Sequence, residues 1–258
     1  MFKLLLAEFR RNWILFTRYP AEALGKVLAI TIFFCLLFFG SNYLAGGATA
    51  QFGERLDAII VGYILWTLVQ LSINEISLEL QTESQVGTLE QIFLSPFGAL
   101  RVFLARSLAS SAFNLLLILL ALIIILIITG SRLYFAPSLL LPLFTTLMSA
   151  YGLAFITGAI VLIFKRIGQL LGLLQFPVLF LFVTPFETWQ GLSRLFGFLL
   201  PMTPSITMLR SLMVQGGSFN GVLYSFCLLN GFCYFSLGLV IFRIAERFAR
   251  KQGKLGGY

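Results

Sequence analysis

The sequence predicts an all-α membrane protein of six transmembrane helices, with an N-terminal amphipathic interface helix and a re-entrant helical hairpin before the last span. Three observations predict it. Of the 258 residues, 59% are hydrophobic and only 11% charged, against roughly 45–50% and about 25% in an ordinary soluble domain. The mean hydropathy is +0.96. The charged residues are also withdrawn from six long stretches, as expected where a charge at the bilayer centre costs about 2.5–3.5 kcal/mol.

In chain order, residues 1–20 alternate charge with bulk and offer no small-residue cleavage site, so they read as an amphipathic helix and not as a cleaved leader. At 100° per residue Phe2, Leu5, Leu6, Phe9, Trp13 and Phe16 share one stripe, with Lys3, Glu8, Arg10, Arg11 and Arg18 outside it. Leu4, Ile14 and Leu15 fall off the stripe and predict a second buried contact. Such a helix lies in the headgroup plane, and Pro20 turns the chain toward the first span. The charge-free stretches follow at 27–53, 58–74, 107–131, 133–164, 167–186 and 211–242. Each supplies the ~20 residues that cross about 30 Å of hydrocarbon, the second only with flanking residues. A seventh apolar patch, 192–200, is too short. It ends in Pro201-Met202-Thr203-Pro204, whose prolines forbid a straight spanning helix, so 186–215 is predicted to fold back as a re-entrant or interfacial hairpin.

Lys and Arg counts orient the chain. With the N-terminus inside, fourteen of the 18 basic residues are cytoplasmic and only Arg55, Arg132, Arg194 and Arg210 lie outside. Both termini are therefore predicted in the cytoplasm. Topology and anionic headgroups account for the net charge of +8, and no nucleic-acid partner is expected. The chain has no His, which removes His-based acid–base, metal and triad chemistry. Cys35, Cys227 and Cys233 lie in apolar runs without metal-type spacing, so no metal site is expected.

The loop between the second and third spans carries the most information. Glu75, Glu79 and Glu83 recur every four residues and share one face of a helix leaving the membrane, where like charges are mildly destabilising. That face is either solvated or paired with the basic N-terminal helix or with Arg101 and Arg106. Gly87 breaks the helix, and Thr88-Leu89-Glu90-Gln91 has the capping-box pattern that restarts one, with Glu90 complementing the helix dipole. Leu89, Ile92 and Phe93 share an apolar face, and Pro96 ends the helix. Such a face either packs on its own protein or docks a partner.

From these residues the chain resembles an ABC type-2 transporter permease, the transmembrane subunit of an ABC exporter. The carriers are the amphipathic start, the six spans, the Glu-rich exit of the second span with Gly87 to Pro96, and the Pro201 segment before the last span. The resemblance implies a single transmembrane domain over 1–258 with a coupling-helix loop at 84–97, and places the re-entrant segment 186–215 on the extracytoplasmic side. Gly87, Thr88, Leu89, Glu90, Ile92 and Phe93 would dock an ATP-binding subunit. It further implies a second permease copy, identical or homologous, in a bacterial-type cell membrane. The chain has no G-x-x-x-x-G-K-[ST] loop, so it is expected to be no enzyme and to hold no cofactor, with ATP and Mg bound by the partner subunit.

Polar residues inside the spans, Gln70, Asn74, Asn114, Gln175 and Asn230, are expected to face other helices or a cavity. Asn114 and Gln175 are candidates for the wall of a translocation path, and Glu187 with Arg194 for a pair holding the re-entrant segment, beside Trp189. Gly152 and Gly158, or Gly168 and Gly172, would permit close helix approach. The expected function is export of a hydrophobic or amphipathic, drug- or lipid-like substrate. The alternatives are export of a lipid-linked polysaccharide, or an ion-coupled carrier or scaffold without an ATPase. No carboxylate lies in mid-span, which argues against a midplane acidic relay.

Overall fold

A computed structural model describes residues 2–44, 53–164, 168–184, 186, 191–214, 216–217 and 219–251. All regular structure among them is helical: α1 (Phe2–Arg18), α2 (Pro20–Leu44), α3 (Gly53–Val86), α4 (Leu89–Leu94), α5 (Ala99–Thr129), α6 (Leu140–Phe164), α7 (Gly168–Val183), α8 (Leu192–Leu199), α9 (Thr203–Val214) and α10 (Gly221–Lys251), with a short 3-10 turn at Pro137–Leu139 leading into α6. Five of these segments are long and apolar enough to cross a membrane: Pro20–Gly40, Leu56–Val86, Ala99–Thr129, Pro137–Phe164 and Gly221–Lys251. They correspond to five of the six predicted spans. The sixth, α7, has 16 residues with Pro177 inside it, which gives about 24 Å against about 30 Å of hydrocarbon.

The centre of the bundle is α3 with α6. Along α3, Ile60, Val61, Leu68, Val69, Ile76 and Leu80 are fully buried. A lone apolar stripe is not needed in lipid, so burial here follows contact with other helices, while α2 keeps Leu28, Ile32 and Leu36 open on one face. The closest packing joins α6 to α10, which have the most extensive contact in the molecule. A Cβ at Gly152 would collide with the Tyr234 carbonyl, and one at Gly238 with the Gly152 backbone. Gly158 likewise sits 3.0–3.5 Å, measured from a built Cβ, from side chains of Ile76, Leu80 and Phe242. Small residues thus let backbones approach where lipid offers no hydrophobic drive to bring helices together. Gly168 and Gly172 have nothing within 4 Å, so that pair does not serve helix packing within the described chain.

The segment before α10 consists of two short helices, α8 and α9, broken at Pro201-Met202. Met202 is fully buried with φ +64°, a left-handed conformation that costs a non-glycine residue about 1–3 kcal/mol. Asn230 of α10 holds it there. Its Oδ1 accepts from the Met202 amide at 3.1 Å and from the Ser149 hydroxyl at 3.3 Å, and its Nδ2 donates to the carbonyls of Phe198 and Leu200 at 3.2 and 3.0 Å. One amide thus meets three backbone groups at the break, and Tyr234 donates its hydroxyl to the Leu199 carbonyl at 2.9 Å. Glu187 and Trp189 lie outside the described residues, as does the side chain of Arg194, and the pairing expected of them with it.

Candidate functional site: the loop between the second and third spans

The Glu-rich face belongs to the last three turns of α3. The helix stops at Gly87, whose φ of +79° is open to glycine at no steric cost. The Thr88 amide then reaches the Glu83 carbonyl at 3.0 Å, the six-to-one bond of a Schellman stop. The capping box expected at Thr88 does not form. Thr88 has helical φ and ψ and makes no side-chain cap to α4; its hydroxyl donates to the Glu83 carboxylate instead. A residue with helical backbone does not present its side-chain oxygen to the N–H groups ahead as an extended N-cap does, and the charge-assisted bond to Glu83 holds the hydroxyl on the preceding turn.

Glu83 is held from the other side by Arg106 of α5, whose Nη1 donates to Glu83 Oε1 at 2.8 Å while its Nε donates to Glu8 Oε1 of α1 at 3.1 Å. Arg11 adds a bond to Glu8 Oε2 at 3.2 Å. Of the two arrangements the sequence leaves open for the acidic face, pairing is the one found at Glu83, and its partner is Arg106; Arg101 is exposed. Glu8, which the helical projection puts on the solvent side, is buried. α1 therefore rests on α5 through this ion pair, an Asn12–Ser110 hydrogen bond of 3.0 Å, and Phe9 and Phe16 around Phe113. Leu6, Trp13, Ile14 and Leu15 are exposed, so of the second buried contact predicted from Leu4, Ile14 and Leu15 only Leu4 is partly covered. Ile14 and Leu15 face outward instead, where the solvent of a headgroup-plane helix is lipid.

The apolar face of α4 is turned inward. Leu89 and Phe93 are 5% and 4% exposed and join a cluster with Ile76, Leu80, Phe103, Phe155 and Phe242, with Ile92 packed at its margin. Read as a docking surface, this face is corrected: its occupant is the protein's own core, because two turns of helix bury a stripe only by laying it on α3, α5 and α10. What α4 and its flanks leave open is Val86, Gly87, Glu90, Gln91, Leu94 and Phe97, with Thr88 half-buried. A contact the sequence does not reveal fixes the far end. Arg250 of α10 donates from Nη2 to the Phe93 carbonyl at 3.2 Å and lies over the Phe93 ring at 5.6 Å, while pairing with Glu246. A cation thus sits at the carboxyl end of α4, where the helix dipole favours it. α1, α4 and the end of α10 meet at one end of the bundle.

The polar span residues separate into distinct settings. Asn114, with Asn74 and Glu75, lines a cavity between α1, α2, α3 and α5. Gln175 stands half-buried on α7, apart from that cavity. Gln70 is buried on α3 with Oε1 unpartnered, and Asn230 is the clasp described above. Glu79 lies between Glu75 and Glu83 on the inward side of α3.

With that geometry in place, the family model described as "ABC-2 type transporter" matches residues 3–214, which includes α1, the α3–α4–α5 loop and the α8–α9 break. The chain belongs to the ABC-2 type transporter family. It is a multi-pass membrane protein and the permease component of an ABC transporter. A comparison with curated proteins gives no match.

Proposed function

We propose that the chain is the permease subunit of an ATP-driven exporter, paired with a second permease copy and powered by separate ATP-binding subunits. The observation that carries this reading is the immobilisation of α4. A two-turn helix is held at its start through Thr88, which bonds to the Arg106-paired Glu83, and at its end by Arg250, while Val86, Glu90, Leu94 and Phe97 stay exposed. A small rigid knob with an acidic and apolar outer face suits docking into a partner's groove. In this reading the knob, both termini and most basic residues are cytoplasmic. α7 serves as a short sixth span, accommodated by local thinning of the bilayer, and α8–α9 re-enters from the outside. The cargo is hydrophobic or amphipathic, in keeping with the low charge content of the chain.

Purification of the tagged chain in mild detergent, with mass spectrometry of the co-eluting proteins and an ATPase assay, tests it. A stoichiometric ATP-binding protein with vanadate-sensitive hydrolysis is expected. Leu94→Asp with Phe97→Asp should abolish co-elution and stimulated hydrolysis while the permease still elutes as a folded species. Leu89→Asp with Phe93→Asp should instead prevent folding, since it places two carboxylates in the core. A lone chain that crosslinks to no ATP-binding protein would overturn the proposal.

A further inference from the structure

Beside α4, but distinct from it, a cavity of about 400 Å3 opens between α1, α2, α3 and α5, within the range of small-molecule sites. Its floor is polar: Asn12, Asn74, Glu75, Ser110 and Asn114 converge from three helices. One oxygen of the Glu75 carboxylate, Oε2, is buried without a hydrogen-bond partner. Ser110 stands beside the carboxylate, its own oxygen already accepting from Asn12. The walls are aromatic, formed by Phe16 and Phe113. At the mouth, Lys26 is neutralised by Glu22 at 3.0 Å, and Leu15 and Leu78 are exposed, so the opening faces apolar surroundings. The charged or ionisable groups on the lining are Glu22, Lys26 and Glu75, of which Glu22 and Lys26 pair with each other.

A buried carboxyl oxygen without a partner is costly, and a bound cation both removes that cost and favours the ionised form of Glu75. Aromatic faces flanking the approach favour a cation further. We propose that this cavity binds the ammonium group of a membrane-embedded amphiphile, with Glu75 as counter-ion, Asn74 and Asn114 as polar contacts around it, and the alkyl chain leaving past Leu15 and Leu78 into the lipid. The ammonium has two natural sources, an ethanolamine phospholipid of the leaflet or a soluble cationic amphiphile. The site needs no ATP-binding subunit, so it stands or falls independently of the docking role of α4.

Native mass spectrometry of the purified permease, titrated separately with phosphatidylethanolamine, dodecylammonium, dodecanol and phosphatidylglycerol, tests it. One equivalent of at least one ammonium probe should bind, and Glu75→Gln should weaken it about tenfold or more, as expected for one charge-assisted contact. Asp57→Asn, at the opposite end of α3, should leave binding unchanged. Glu75-dependent binding of phosphatidylethanolamine alone identifies the leaflet lipid as ligand, and of dodecylammonium alone a soluble amphiphile; either supports the site. Asn114→Phe fills the cavity and keeps the carboxylate, so it should also weaken binding, and it decides the matter if Glu75→Gln fails to fold. Binding unaffected by these variants, equal binding of dodecanol, or no stoichiometric adduct would overturn the proposal.

Discussion

Replacing Arg106 by Ala removes the guanidinium that joins three helices. The bonds lost are Nε to Glu8 at 3.1 Å and Nη1 to Glu83 at 2.8 Å. The three side chains are 15%, 11% and 20% exposed, so solvent screens them weakly and each charged hydrogen bond falls in the range of about 1.5–3 kcal/mol. Glu8 keeps Arg11, and Glu83 keeps Thr88, which places the sum toward the lower end, at about 3–4 kcal/mol. Arg106→Lys cannot reach both carboxylates with one planar fork and should lose about half of that. The assay is equilibrium unfolding in mixed micelles titrated with dodecyl sulfate, followed by circular dichroism, as a double-mutant cycle with Glu83→Gln. A coupling of about 1–2 kcal/mol is expected, together with faster amide exchange across Thr88–Leu94. A coupling under about 0.5 kcal/mol with unchanged exchange would refute the reasoning.

Three further outcomes are expected. Gly152→Val drives a branched side chain into the α10 backbone at Tyr234 and should destabilise the bundle by at least about 1–3 kcal/mol, measured by the same titration; Gly25→Val, with nothing within 4 Å, is the control. Asn230→Ala orphans the Met202 amide and the Phe198 and Leu200 carbonyls and should cost about 2–4 kcal/mol, with protease sensitivity appearing between α8 and α9. In sealed cells an impermeant maleimide should label Phe219→Cys and spare Gln85→Cys; the reverse pattern would invert the proposed orientation.

The spans were legible because a single term dominates them. The absence of charge over 107–131 and 211–242 locates the apolar middles of α5 and α10 but not their ends, and the equally charge-free 167–186 reads as a full span whereas α7 has 16 residues with Pro177 inside it. Gly87 and Pro96 marked α4 correctly, since backbone constraints are local. The orientation of Leu89 and Phe93 was not legible: periodicity tells which side of a helix is apolar, not what covers it. Glu8 was misread for a related reason, because a carboxylate is assigned to water unless its cation is visible, and Arg106 is 98 residues away. Arg250 is 157 residues from Phe93, beyond any spacing rule. The capping box fails at Thr88 because its backbone is already helical, where an N-cap needs extended backbone, and its hydroxyl is turned back to Glu83, five residues earlier.

The double anchoring of α4 has a mechanical consequence. A push on this helix cannot be absorbed by bending a loop, since Glu83–Arg106 ties it to the root of α5 and Arg250 to the tail of α10. Each of those helices runs 31 residues, about 46 Å of continuous rod. The helix that Arg250 fastens to α4 at one end is therefore the same rod that carries Asn230, the pin under the left-handed turn at Met202, some twenty residues (about 30 Å) further up.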